Sequence, residues 1–475
     1  MKILVENGCY HLRNMGDVAM LQVAVARLSD LWPDAMIQVI TAEPGLLVKY
    51  LPKAHPIAVQ GRDIWFKDRR IFGGFSRWVP EAITNCLLKL WRQIRKHWPW
   101  LAYTLIRLNA KYRGVDVGEM DCFLEAVLGA NVVTVSGGGD INDAFAGYAM
   151  TLLDVLAMAI RRGTPTAMFG QGVGPIGNSK LEARGKEVLP QVELIAIRES
   201  YASPFLLESL GVRKQRIFVT GDDAIELAYE LRAARLGNGI GVNLRVAEYS
   251  ETNTKHIDMV RAVLQDAARG YSAPLIPLPI SLYDKESDER TIRRILTGCD
   301  DGLDGMQSLD SPAGIIERAG LCRVVVTGSY HSAVFALAQG IPVVALANSA
   351  YYMDKFLGLA EQFGCGCEVF FLDDEQVQER LGGGIEKAWR SAEQLRPRLL
   401  EAAARQVTLS REAYERFYQL VESKKAKAES RIREEQIRYD GKFQDATETT
   451  VSCDAECAGN HYPCFDSRAD RCTDV

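Results

Sequence analysis

One histidine in the chain stands where proton transfer is feasible. His331 ends the run Thr327-Gly-Ser-Tyr-His331, directly after the apolar stretch Val324–Thr327 and before an Ala-rich segment. Imidazole titrates near neutrality, so a histidine at a strand's carboxyl end and near a helix N-terminus can act as general acid or base. It can equally hydrogen-bond a neighbouring loop. Arg198 and Arg245 stand just beyond two other apolar runs, Leu194–Ile197 and Ile240–Leu244. A guanidinium is a fork of donors that fits carboxylate and phosphate with two bonds. The ordinary fate of an arginine is a surface ion pair, and position at a strand end is what singles these two out.

Three glycine-rich loops add to the set: Asn14-Met-Gly16-Asp17, Ser136-Gly137-Gly138-Gly139-Asp140 and Gln171-Gly172-Val-Gly-Pro175. Backbone without Cβ lets a ligand approach closely, and a helix N-terminus offers free N–H donors to an anion. Each loop alone could serve only tight strand-to-helix packing. Three at one sheet edge point to a binding site. None is a standard nucleotide motif: the G-x-x-x-x-G-K-[ST] lysine is missing, and no G-x-G-x-x-G follows the first strand. Asp17, Asp140 and Asp143 are candidates for hydrogen-bonding a polyol, with helix capping as the alternative use of an aspartate.

These loops need a scaffold, and the hydrophobic pattern supplies one. Lys2–Val5 reads as a buried strand, Val18–Leu31 carries apolar residues at helical spacing, and Met36–Ile40 is a second strand. Strand and helix alternate again through Asn131–Val135, Ala149–Ile160, Thr166–Phe169, Leu194–Ile197 and Ile217–Thr220. A second series follows the Gly-rich joint Leu236-Gly-Asn-Gly239: strands at Ile240–Leu244, Ala273–Pro279, Val324–Thr327 and Pro342–Ala345, with helices between them. This is the grammar of an α/β fold with parallel sheets, and it predicts two Rossmann-like domains with a cleft between them. The expected boundaries are 1–236, with a helical, basic insertion at about 65–115, then 237–385, a helical segment 386–440 and a polar, Cys-containing flexible tail 441–475.

Length and composition agree with a globular chain. The 475 residues are 47% apolar and 25% charged, which excludes wholesale disorder, collagen and coiled coil. A formal charge of −5 argues against a protein built to coat nucleic acid. Eleven cysteines at this length are no disulfide scaffold. No apolar window is long enough for a membrane span and the start lacks a signal-peptide h-region, so a cytoplasmic protein is expected. The tail thiols Cys453, Cys457, Cys464 and Cys472 lack paired C-x-x-C knuckles, and no metal is expected. From Asn85 to Arg113 basic residues interleave with Trp91, Trp98 and Trp100. That stretch either lies on an anionic membrane surface, making the protein membrane-peripheral, or is an insertion whose tryptophans pack inward.

The ordered set Asn14-x-Gly-Asp17, Ser136-Gly-Gly-Gly139, Gly170-Gln-Gly-Val-Gly-Pro175, Ile197-Arg-Glu-Ser200, Thr220-Gly-Asp222, Val242-Asn-Leu-Arg245 and Thr327-Gly-Ser-Tyr-His331 with Gly340-Ile-Pro342 resembles the polysaccharide pyruvyl transferase family. The resemblance covers residue 1 to about 365. It implies two Rossmann-like domains in a GT-B-like arrangement. It also implies phosphoenolpyruvate as co-substrate with no other cofactor, a glycan or lipid-linked glycan as acceptor, and a ketal formed across two sugar hydroxyls in exopolysaccharide or cell-wall biosynthesis. By resemblance His331 is the catalytic histidine and Arg198 a donor-binding arginine. Arg245, Ser329, Tyr330 and Lys355 join the expected donor site, and the three Gly loops with Asp17, Asp140, Asp143 and Gln171 form the acceptor side. Family members often carry Arg where this chain has Ser329, and Pro where it has Asp223. The alternatives are a GT-B-type glycosyltransferase using a nucleotide sugar, and a non-catalytic glycan-binding member.

Overall fold

The computed structural model describes residues 1–66, 81–114, 116–247, 250–283, 287–298 and 309–453. Residues 67–80 of the expected basic insertion and 454–475 of the expected tail lie outside the described residues. Residues Met1–Tyr418 form one compact unit and Gln419–Val475 a second.

The chain opens with β1 (Lys2–Glu6), α1 (Met15–Leu31), β2 (Met36–Thr41), α2 (Pro44–Tyr50), β3 (His55–Ala58) and α3 (Val59–Phe66). Three helices follow, α4 (Glu81–His97), α5 (Pro99–Arg113) and α6 (Gly118–Gly129), before β4 (Val132–Val135) and β5 (Gly138–Ile141). Then come α7 (Ala146–Arg161), β6 (Thr166–Val173), α8 (Ser179–Val188), β7 (Leu194–Ile197), α9 (Ser203–Ser209), β8 (Ile217–Val219) and α10 (Ala224–Glu230). The first sheet is parallel and runs β3-β2-β1-β4-β6-β7-β8, with β5 paired to β6. Its strand order reverses between β1 and β4, which is where an open α/β sheet forms its binding crevice.

The second sheet begins with β9 (Gly239–Asn243), α11 (Thr254–Tyr271), β10 (Leu275–Pro277), α12 (Asp288–Ile295) and α13 (Pro312–Ala319). It continues with β11 (Cys322–Thr327), α14 (Tyr330–Ala338), β12 (Val343–Ala347), α15 (Ala350–Phe363) and β13 (Cys367–Phe371). The strands are parallel in the order β10-β9-β11-β12-β13, so the reversal lies between β9 and β11. The crevice of this sheet therefore opens at Arg245 and at the loop leading to His331. The last helix, α16 (Val377–Cys453), supplies residues to both compact units.

Local chemistry explains the element ends. Asn14 caps α1 by accepting from Gly16 N at 3.1 Å. Gly211, just past α9, takes the left-handed φ of 91° that ends a helix at no Cβ cost. Three strands escape the hydrophobic pattern. β3 carries Pro56, which a sheet tolerates at its edge, β13 is an edge strand interrupted by Glu368, and β5 is formed by Gly138–Ile141, a stretch expected as loop because two glycines open it; β6 likewise runs on through Gln171 and Gly172 to Val173. The helical segment begins at Val377, earlier than residue 386. Helix also continues past 441 to Cys453, and it carries Pro397 and Gly441 in its interior. No described helix is long and apolar enough to cross a membrane.

The two sheets meet inside the first unit. Asn14 and Ser281 form an antiparallel bridge, with Met15 N donating to Ile280 O at 2.9 Å and Leu282 N to Arg13 O at 2.7 Å. The loop after β1 is thus held against the loop after β10, and the N-terminus of α1 faces the second domain.

Candidate active site

The site is assembled from loops at both crevices. Ser329 caps α14 in extended conformation, and the Thr327 hydroxyl braces the turn by accepting from Ser329 N at 2.9 Å. That puts His331 in the first turn of α14, buried, with its ring against the backbone of Gly16. A Cβ on Gly16 would lie 1.9 Å from His331 Cγ, so only glycine leaves room for the ring. His331 Nε2 lies 3.6 Å from Asp222 Oδ2, at the end of β8 in the other domain.

Asp222 also faces Arg198, whose guanidinium stands 3.4 Å from Oδ2, and accepts from Ala224 N at 2.9 Å. Burial raises the pKa of this carboxyl, but His331 and Arg198 outweigh burial and hold it below the ordinary carboxylate range. Arg198 is buried, and its guanidinium stacks 4.2 Å over the Tyr330 ring. Its Nη2 makes no hydrogen bond.

The two glycine loops run side by side because β5 pairs with β6, Gly138 opposite Gln171. Gly139 and Gly172 together form the floor beneath Arg198. A Cβ on Gly139 would come within 2.4 Å of Arg198 and 3.0 Å of Lys355, and one on Gly172 within 2.8 Å of Arg198. Lys355, on α15, lies 3.9 Å over the Tyr351 ring and bonds its hydroxyl, which in turn donates to Gly139 O at 3.0 Å. Between these groups lies a cavity of about 110 Å³, lined by Gly139, Gly172, Arg198, Tyr330, Tyr351 and Lys355 among others.

Charge at the site is poised. Burial and the Arg198 charge pull the Lys355 ammonium well below the usual lysine range, with Asp140 and Asp17 opposing. Burial, with Asp17 adding, pushes the Asp140 carboxyl up to about 7, while Lys355 and Arg198 oppose. Burial also raises Asp17, against His331, Arg198 and Lys355. Buried groups whose pKa values are driven away from their ordinary ranges in this way are suited to exchanging protons. Among the described residues, no group of three or more His, Cys, Asp or Glu could hold a metal.

The sequence profile of the polysaccharide pyruvyl transferase family matches residues 14–350. The chain belongs to that family. No curated protein matches it significantly. Among solved structures it is similar to a putative UDP-N-acetylglucosamine 2-epimerase from Listeria monocytogenes, at 12% identity and TM-score 0.51, over 86% of this chain and 93% of the other. It is also similar to the UDP-GlcNAc 2-epimerase of Neisseria meningitidis, at 13% identity and TM-score 0.51, over 88% and 100%. These likenesses concern the fold: two Rossmann-like domains in a GT-B-like arrangement.

Within the pyruvyl transferase frame, the residues singled out from sequence fall into two groups. Arg198, Tyr330, Lys355, Gly139 and Gly172 line the cavity, and His331, Gly16, Asp17 and Asp140 lie next to that lining, where Asp17 and Asp140 feel the Arg198 and Lys355 charges. The others are committed elsewhere. Arg245, expected to hold an anionic donor, is paired with buried Asp288 at 2.9 Å, and Asp288 also accepts from Asn243, Ile280 N and Ser281 N. Asp143, expected at the acceptor, is exposed and accepts from Gly177 N at 2.6 Å and Asn178 N at 3.0 Å, so it shapes a turn. Gln171 donates to Ser136 O at 2.7 Å and Phe169 O at 2.9 Å, and Asn14 is a helix cap. Gly137 packs on Met20 and Gly138 on Asp140.

Asp223, in place of the family's proline, is used structurally. It accepts from Ser410 at 2.6 Å and Tyr414 at 2.8 Å and faces Arg27 at 3.4 Å, which fastens α16 to α1 and α10. Sequence reasoning missed Asp222 as the partner of His331, and Tyr351 as the brace of Lys355. Asp222 had a usable signal, since it follows a strand within Thr220-Gly-Asp. Tyr351 had none, because its role depends on α15 reaching the other domain's Gly loop.

Proposed function

We propose that the protein transfers the pyruvyl group of phosphoenolpyruvate onto two hydroxyls of a glycan as a ketal. The observation that carries this reading is the 110 Å³ cavity lined by Arg198, Lys355 and two tyrosines. Pockets for drug-sized ligands run to roughly 300–1,000 Å³, so this one suits a small polyanion such as phosphoenolpyruvate and is too small to hold a nucleotide sugar. Arg198 and Lys355 supply the cations that a carboxylate and a phosphate need, with the Gly139 and Gly172 backbone allowing close approach. Arg245 contributes field and holds Asp288. Ser329 leaves Arg198 and Lys355 to carry the donor charge.

His331, beside Asp222, donates a proton to C3 of the donor, leaving a cationic centre at C2. The first acceptor hydroxyl adds to C2 and gives its proton to Asp140. The bond from C2 to the phosphate oxygen breaks, and phosphate leaves with the proton that Asp140 received. The second hydroxyl closes on C2 and returns a proton to His331. Two hydroxyl protons are lost, one to the new methyl group and one to phosphate, so the cycle balances and both groups end as they began. Asp17 hydrogen-bonds the sugar. The reading places this chemistry in polysaccharide biosynthesis at a cytoplasmic face, with the acceptor free or lipid-linked.

A phosphate-release assay with phosphoenolpyruvate across a panel of acceptor glycans tests the proposal. Release that depends on acceptor, and that H331A abolishes with the fold intact, is the expected result. Ligand binding without release would reduce the chain to a glycan-binding family member. Thermal stabilisation by UDP but not by phosphoenolpyruvate would favour nucleotide-sugar transfer.

A further inference from the structure

A second and much larger concavity lies away from the cleft. The helical hairpin α4–α5 stands against α6, α7 and α8, and between them runs a groove of about 1140 Å³. Its floor is apolar, with Trp65, Leu124, Met158 and Leu181 buried there. Its walls carry seven basic side chains against four carboxylates, Asp121, Glu125, Asp154 and Glu187. Glu187 and Asp154 are engaged by Arg184 and Lys96 at 2.5–2.8 Å. Arg161, Arg162 and Lys180 also line the groove, and their side chains make no hydrogen bond or ion pair among the described residues. Three cations without a bonded partner, above an apolar floor, are complementary to an amphipathic anion.

The surrounding surface says which one. Trp91 is 4% exposed and packs inward, but Trp98, Trp100, Leu108 and Tyr112 are 53%, 68%, 60% and 92% exposed on the same hairpin. Lys89, Arg92, Lys96, Arg107 and Lys111 alternate with them along α4 and α5. Aromatic and aliphatic side chains exposed among basic ones are the composition of a helix lying in a bilayer interface. Basic residues near an anionic membrane are attracted to its headgroups.

We propose that this groove takes the phosphate headgroup and upper acyl chain of an anionic membrane phospholipid. Arg161 meets the phosphate, and the hairpin's exposed aromatics enter the interface around it. The docking goes beyond pyruvyl transfer and does not rest on it, since it is read without turnover. Its location follows from the groove being walled by helices, with α4 and α5 on one side and α6, α7 and α8 on the other, rather than by the two sheets.

The test uses the full chain. Flotation with phosphatidylcholine vesicles is compared with flotation on phosphatidylcholine containing phosphatidic acid, and calorimetry measures binding of dioctanoyl phosphatidic acid. The protein should float only with the anionic vesicles and bind the short-chain lipid. R161Q should weaken both by about fivefold or more. Gly147 lines the groove at the start of α7, and a Cβ there meets nothing within 4 Å, so the backbone admits a side chain at that point and G147F adds an aromatic ring to the groove wall. It should block the short-chain lipid while the thermal midpoint and phosphate release with a soluble acceptor stay at wild-type values. Unchanged lipid binding in both variants would overturn the proposal. So would inorganic phosphate binding as tightly as the lipid, because the apolar floor would then contribute nothing.

Discussion

Gly16 offers the sharpest test of the catalytic reading, because it touches the chemistry only through His331. In Gly16→Ala the new methyl carbon would sit 1.9 Å from His331 Cγ and 2.1 Å from Nδ1. Carbon atoms in contact need about 3.5 Å, so the ring must retreat by roughly 1.5 Å. Phe335 and Tyr330 flank the imidazole, and Asp222 stands at its far nitrogen, so the retreat misplaces Nε2. A misplacement of about 1 Å in a reacting group can cost on the order of 100-fold in rate. The fold should survive. Overpacking costs about 1–3 kcal/mol, and replacing glycine in a helix with alanine returns up to about 1 kcal/mol. The assay is phosphate release at saturating phosphoenolpyruvate, beside donor affinity by thermal shift. Turnover should fall by about two orders of magnitude while donor affinity, carried by Arg198 and Lys355, changes little. Adding H331A to the variant should lower the rate no further, since both changes remove one group's action. Wild-type turnover in a folded G16A protein would falsify the role of His331 as the proton donor.

Other expectations are independent of that one. The Asp140 carboxyl, raised from 3.8 to about 7, keeps its proton in the fold at pH values where the unfolded chain has lost it. Its contribution to stability therefore falls as pH rises from about 4 through 7, by at most about 1.4 kcal/mol for each pH unit crossed. D140N should be more stable than wild type at pH 8 and keep only a minor part of that advantage at pH 5 in urea titrations; an equal difference at both values would contradict the burial argument. D223A removes one of the two buried carboxylates on Arg27, with Glu226 remaining, and strips the acceptor from Ser410 and Tyr414; it should lower the unfolding free energy by about 1–3 kcal/mol, and an unchanged value in chemical denaturation would show the network to be slack. R198K keeps a charge but not the planar fork, so donor affinity should drop by about tenfold, and retention of full affinity would remove Arg198 from the donor site.

Much of the architecture was legible locally. Apolar runs ending in glycine plus a polar residue located most of the strands, because a buried parallel strand must be apolar and its loop must turn sharply. The family motifs picked out His331, Arg198 and the Gly loops, which do converge. Edge strands β3 and β13 were invisible, since an edge accepts the proline and the charge that the pattern excludes. Among candidate residues, the losses were those whose partner is distant in sequence. Arg245 reads the same whether it meets a ligand or Asp288. Asp143 reads the same whether it meets a sugar or a backbone turn.

The residues themselves determined the α/β grammar, the family and the chemical types available, because periodicity, capping and glycine turns are short-range properties. Only the tertiary structure decided which loop faces which. The antiparallel bridge between Asn14 and Ser281 puts Gly16 under the imidazole, and the pairing of β5 with β6 lays two glycine loops beneath Arg198 and Lys355. It also decided which charges stay available, since a buried charge must take the partner that packing brings to it, and no local pattern records that partner.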